Sequence, residues 1–280
     1  MEHRPTYVRA ILLSLTIAAL LALLGVWAQR VDVGPGSVPI YDPEGRSYWL
    51  AGLAAAVLAA VLFQVFDRET SYALSTAAAR QVRYEPASEL PTAWLLPGVA
   101  TFAAVMLLAV YHGETAIAGI SLGAFVTLAS ASIARHFLYD ADSLVRQRAR
   151  ACSTLLIHGV AFVALAMVYI NKVRSLFSAT AVLVIGVLLL LQLTEGEDAL
   201  FGRRLVYALA GGVMLGQVTW VLNYWKATGW TGGAVLLIFF YLAAGLISAQ
   251  LRRGVAGRDL AEYGGIAAVA FSIVVYSILR

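Results

Sequence analysis

The sequence predicts an all-α polytopic transmembrane bundle of about nine spans, with its N-terminus in the cytoplasm and its C-terminus outside. Three observations predict it. Of the 280 residues, 61% are hydrophobic and 13% charged, against roughly a quarter charged in an average soluble domain. The apolar residues fall in continuous runs near the length of about 20 that crosses a hydrocarbon core. A transmembrane barrel would instead show alternating segments of about ten. Finally, the basic residues gather on alternate connections, as they do when one set of loops stays in the cytoplasm.

The spans read 10–28, 48–66, 93–111, 115–134, 152–170, 176–193, 205–224, 231–249 and 262–279. The first follows Arg4 and Arg9. A basic start before an apolar run also fits a cleaved signal peptide, but the run from Ala10 to Val26 is long for one and Trp27 suits a cleavage site poorly. The span is expected to stay. The remaining runs are joined by short connections apart from 29–47, 67–92 and 135–151, none long enough for a soluble domain. One membrane domain over residues 1–280 is expected.

Nine spans divide the cations unequally. Arg4, Arg9, Arg68, Arg80, Arg83, Arg135, Arg146, Arg148, Arg150, Arg203, Arg204, Arg252, Arg253 and Arg258 share the N-terminal side. Arg30, Arg46, Lys172, Arg174, Lys226 and Arg280 take the other. That 14-to-6 split places the N-terminus in the cytoplasm. Trp27, Trp49, Trp220, Trp225 and Trp230 then fall at the outer headgroup level, and Trp94 at the inner. The expected location is the inner membrane of a bacterium. In several cytoplasmic turns acids precede arginines: Asp67 and Glu69 before Arg80 and Arg83, Asp140 and Asp142 before Arg146, and Glu195, Glu197 and Asp198 before Arg203. The cations are scattered over many loops rather than gathered in a patch, so nucleic acid is not an expected partner. Lipids and other membrane subunits are.

No Asp, Glu, Lys or Arg lies near the middle of a predicted span. Ion-coupled transporters and proton pumps place ionisable groups there, so this pattern argues against active transport. His158, inside the fifth span, is the intramembrane polar candidate; its simplest role is an interhelical hydrogen bond. Gly119-Ile-Ser121-Leu-Gly123 matches the G-x-S-x-G of serine hydrolases, but that serine needs a strand-to-helix turn and here it is within a helix. Gly119, Gly123, Thr127 and Ser130 share one face, and that face reads as a close-packing surface. On the seventh span Gly212, Gly216, Thr219, Trp220 and Asn223 fall in one arc, with Gln217 and Tyr224 beside it. Gln217, Trp220, Asn223 and Tyr224 are the candidate lining of an outward-facing cavity. In the first outer loop Asp32, Asp42 and Glu44 are the candidate acids of a lipid-linked sugar transferase, where a carboxylate serves as base or metal ligand.

The sequence has no H-E-x-x-H, no paired Cys/His spacing, no phosphate-binding G-x-x-x-x-G-K-[ST] and no Rossmann glycine fingerprint. No catalytic residue, cofactor or metal is expected. The stretch carrying Leu222-Asn-Tyr-Trp-Lys, Gly232-Gly, Phe239-Phe-Tyr and Arg252-Arg through Glu262-Tyr-Gly resembles a family of uncharacterised bacterial multi-pass membrane proteins, a domain of unknown function. The resemblance covers about the last 90 residues and implies a nine-helix type of membrane domain with no activity attached. The leading expectation is a non-catalytic membrane scaffold or subunit, or a lipid- or small-ligand-binding protein. The alternatives are a transporter or flippase-like protein using the cavity beside the seventh span, and a lipid-linked sugar transferase.

Overall fold

The computed structural model describes residues 4–34, 45–78, 92–138, 143–171, 175–195, 199–225 and 229–279. Within them the chain forms nine helices and no strand: α1 (Arg4–Val31), α2 (Arg46–Ala78), α3 (Leu95–Val110), α4 (Glu114–Phe137), α5 (Ser143–Ile170), α6 (Ser175–Leu193), α7 (Phe201–Tyr224), α8 (Gly229–Arg252) and α9 (Gly257–Leu279). Each predicted span lies on one of them. Several helices outrun their spans, because hydropathy locates the lipid-embedded part of a helix and not its ends. The arginine-rich turns Arg146, Arg148 and Arg150 extend α5 toward Ser143, since arginine is a good helix former with no affinity for lipid.

Eight of the nine are long and apolar enough to cross a membrane. The exception is α3, whose 16 residues rise only about 24 Å at about 1.5 Å each. Twelve of its 16 residues are buried inside the protein. Thr101, Val105, Leu108 and Ala109 are fully buried, and α1, α2, α4, α5 and α6 surround it. A helix sheathed by others need not match the bilayer thickness. The Tyr48 hydroxyl of α2 donates to the Val105 carbonyl at 2.7 Å, fixing α3 against its neighbour.

Contacts at the two ends show the helices alternating in direction. At one end Tyr7 of α1 lies on His136 and Phe137 of α4, and Asp67 of α2 meets Arg135 of α4. At the other, His112 after α3 lies 3.9 Å from Asp32 after α1, and Trp230 of α8 donates to the Tyr111 hydroxyl at 3.0 Å. The first end is the one that the charge count assigns to the cytoplasm.

Glycines set the tightest crossings. Gly186 of α6 and Gly212 of α7 face each other, so that a Cβ on Gly186 would lie 3.5 Å from the Gly212 Cα. Gly232 and Gly233 of α8 receive Tyr169 and Ala166 of α5 in the same way. The face of α4 bearing Gly119 and Gly123 departs from its expected role: no atom would lie within 4 Å of a Cβ on either residue. α4 is buried through its other side instead, by Ile117, Ser121, Ala124 and Leu128, with Ile117 seated against Gly25 of α1. The last helix is peripheral. α9 packs chiefly on α8, with Tyr263 against Gly245 and Phe271 against Phe239, and only 11% of its span is buried.

Candidate functional site

The end of the bundle where α4 and α6 terminate, and where α2 carries Asp67, collects charged side chains inside the protein. Arg135 lies on the last turn of α4. Its Nε donates to Asp67 Oδ1 at 2.7 Å and its Nη2 reaches Asp67 Oδ2 at 3.4 Å, a forked grip on the carboxylate of α2. Its Nη1 donates to Glu195 Oε2, just beyond α6. One guanidinium thus ties three helices.

Glu195 is only 4% exposed at its side chain. A carboxylate at a helix C-terminus faces the negative end of the helix dipole, so it needs donors. Arg135 supplies one, and Gln192 Nε2 donates to the same Oε2 at 2.6 Å. On the far side of that turn Arg204 of α7 is fully buried. Its Nε reaches Thr194 Oγ1 at 3.3 Å and its Nη2 reaches the Leu191 carbonyl at 3.4 Å, so the cation joins the Thr194 hydroxyl in capping the end of α6. Burying such charges is costly unless they are paired and hydrogen-bonded; here Arg135 is paired with Asp67 and Glu195, and Arg204 is hydrogen-bonded.

Beside this network is a cleft of about 40 Å³. Phe63, Phe66, Leu96 and Pro97 give it apolar walls, and Asp67, Ser132, Arg135, Ser153 and Gln192 give it polar ones. Two atoms of these residues, Gln192 Oε1 and Ser132 Oγ, are shut off from the cleft and enclosed without a hydrogen-bond partner.

The residues singled out from sequence lie elsewhere. His158 Nδ1 is 2.8 Å from the Thr154 carbonyl, and its ring meets Phe240 and Tyr241 edge-on. If Nδ1 carries the proton for that bond, Nε2 is left as an acceptor, and it is enclosed without a partner. Gln217, Trp220 and Tyr224 are exposed on α7, while Asn223 is half-buried with both amide atoms enclosed and unpartnered. Gly212, Gly216 and Thr219 of the same arc turn inward against α6 or the core. Among the described residues no contact joins Ser121 to His158. Asp32 has φ +52°, a left-handed conformation that aspartate tolerates, and its side chain is 97% exposed near His112. Asp42 and Glu44 lie outside the described residues. Among the described residues no group of three His, Cys, Asp or Glu is placed to hold a metal ion.

Asp67, Arg135 and Glu195 entered the sequence reading only as loop charges, and Gln192 did not enter it. The available signal was Gln192, the one amide in the apolar run of α6, three residues before Glu195.

The profile of a family described as protein of unknown function, DUF5656, matches residues 28–277. The chain belongs to that family, and the likeness reaches far beyond the C-terminal stretch that suggested one. No curated protein and no solved structure matches it.

Proposed function

We propose that this member of the DUF5656 family is a non-catalytic membrane protein that works by binding a small polar ligand in the cleft beside Arg135. One observation carries the reading: a cleft lined by Asp67, Ser132, Arg135, Ser153 and Gln192 adjoins a network in which Arg135, Asp67 and the Gln192 amide nitrogen are held by one another and by Glu195. A cleft whose polar residues are held by a fixed network is preorganised for a guest.

Native mass spectrometry in mild detergent tests it. Wild-type protein is expected to retain a bound mass. Ala131→Leu, which fills the cleft without altering a polar group, is expected to lose it at unchanged helix content. Retention of the same mass by the variant, or its absence from wild-type protein, overturns the reading.

The alternatives anticipated from sequence have less support. A pathway beside α7 would use Gln217, Trp220 and Tyr224, which stand on the outer surface, and Gly212 and Gly216 of that helix are covered by α6. A sugar transferase would need converging acids, and Asp32 points into the open.

A further inference from the structure

The cleft is small for a ligand site. Its space, about 40 Å³, admits about three waters at the roughly 10–15 Å³ that each occupies by the same kind of measure. Ligand pockets usually run to about 300–1,000 Å³. One wall must therefore move to admit a guest, and the helix packing shows which.

Leu96 and Pro97 of α3 form the floor, with Phe66 and Asp67 of α2 on one side and Ser132 and Arg135 of α4 on the other. α2 packs on α1 and α3, and α4 packs on α1, α3 and α5. Among the described residues the two have no packed seam with each other. What joins them across the cleft is the ion pair of Arg135 with Asp67.

The two carboxylates on that guanidinium are held differently. Glu195 is 4% exposed and takes a second donor from Gln192. Asp67 is 26% exposed, and Arg135 is its only polar partner among the described residues. Separating a buried pair strands a charge, whereas a pair open to water holds its members weakly. Release at Asp67 is the easier of the two, and it leaves Arg135 on Glu195.

α2 is fixed on the far side of this point. The Tyr48 hydrogen bond to Val105, Gly52 against Val105 and Ala60 against Gly98 all hold it to α3. A Cβ on Gly98 would lie 3.3 Å from the Ala60 Cβ, so that crossing is close. Beyond it α2 turns Phe63, Phe66 and Asp67 to the cleft, while Val61 and Val65 face outward.

We propose that the Asp67–Arg135 pair is a releasable strap over the cleft. When it parts, the end of α2 swings away from α4 about the Ala60–Gly98 crossing, and the cleft opens. The strap rests on the binding reading above for its purpose and on the helix packing for its mechanics.

The test is the rate at which a cysteine in the cleft wall reacts with a bulky maleimide. Ser153→Cys is made in a Cys152→Ser background, which removes the one native thiol, and the full chain is labelled in mild detergent. Asp67→Asn is expected to raise the rate about fivefold, the factor that an ion pair open to water can supply, at unchanged helix content. Asp67→Glu, which keeps the charge, is expected to bring the rate back toward that of the parent. Added salt is expected to speed labelling of the parent, because screening weakens the pair, and to leave Asp67→Asn unmoved. A rate indifferent to both Asp67→Asn and salt overturns the strap. So does a salt effect of equal size in Asp67→Asn, or a rate in Asp67→Glu as high as in Asp67→Asn. Native mass spectrometry separates this from the binding reading. A bound mass with an indifferent rate overturns the strap alone, and no bound mass with a responsive rate overturns binding alone.

Discussion

α7 and α4 carry the same glycine spacing and put it to opposite use. On α7, a Cβ at Gly212 would lie 2.4 Å from Val187 Cγ2 and 2.8 Å from the Leu183 carbonyl oxygen, and one at Gly216 would lie 3.3 Å from the Ala179 carbonyl. The helix has been approached as closely as glycine allows. On α4, the faces of Gly119 and Gly123 meet nothing within 4 Å. Glycine spacing thus marks a flat helix face and does not say whether another helix arrives. α6 and α7 are consecutive and joined by a short connection, which makes them antiparallel neighbours. α4 meets α1, α3 and α5, and it does so through the side that carries Ile117, Ser121, Ala124 and Leu128.

A series of single Cβ additions tests this contrast. Gly212→Ala is expected to have the largest effect, because the atoms in its way include backbone that cannot rotate aside. Overpacking of that kind costs typically about 2 kcal/mol, read as a lowered midpoint of unfolding in detergent. A change indistinguishable from wild type would show the α6–α7 seam to be looser than described.

Gly245→Ala ranks second. The added carbon would meet the Tyr263 ring at 2.5 to 2.8 Å, but that ring belongs to the peripheral α9 and can give. A loss of about 1 kcal/mol is expected, with amide exchange accelerated in α9 while α6 and α7 keep their protection. Uniform acceleration across all helices would contradict the peripheral status of α9.

Gly123→Ala is expected to do least. With open space around it, the substitution should be neutral or stabilising by up to roughly 0.5–1 kcal/mol, the helix-propensity advantage of alanine over glycine. A cost as large as that of Gly212→Ala would mean that the α4 face is packed, and the comparison would fail.

The candidate site was less legible than the fold. Asp67 is followed in sequence by Arg80 and Arg83, and reading along the chain associates those charges with one another. In the structure Asp67 belongs to an arginine 68 residues away, and that arginine to a glutamate 60 residues further on. Such pairs follow from which helix ends are adjacent, and no local pattern encodes them. Gln192 was the exception that could have been read: an amide in an otherwise apolar run needs a partner at membrane depth.

By itself the sequence determined that this is a multi-pass helical membrane protein, and where the apolar stretch of each helix lies. Partition into lipid is close to a sum over neighbouring residues, so a local run of apolar side chains suffices to specify it. Only the tertiary structure decided that the short α3 is sheathed by protein, that α7 offers its glycines to α6 while α4 leaves its own uncovered, and that Arg135 holds two carboxylates beside a cleft. Those features depend on contacts between segments far apart in sequence. Their energies come from close approach and from desolvated charge, and neither exists until the helices have assembled.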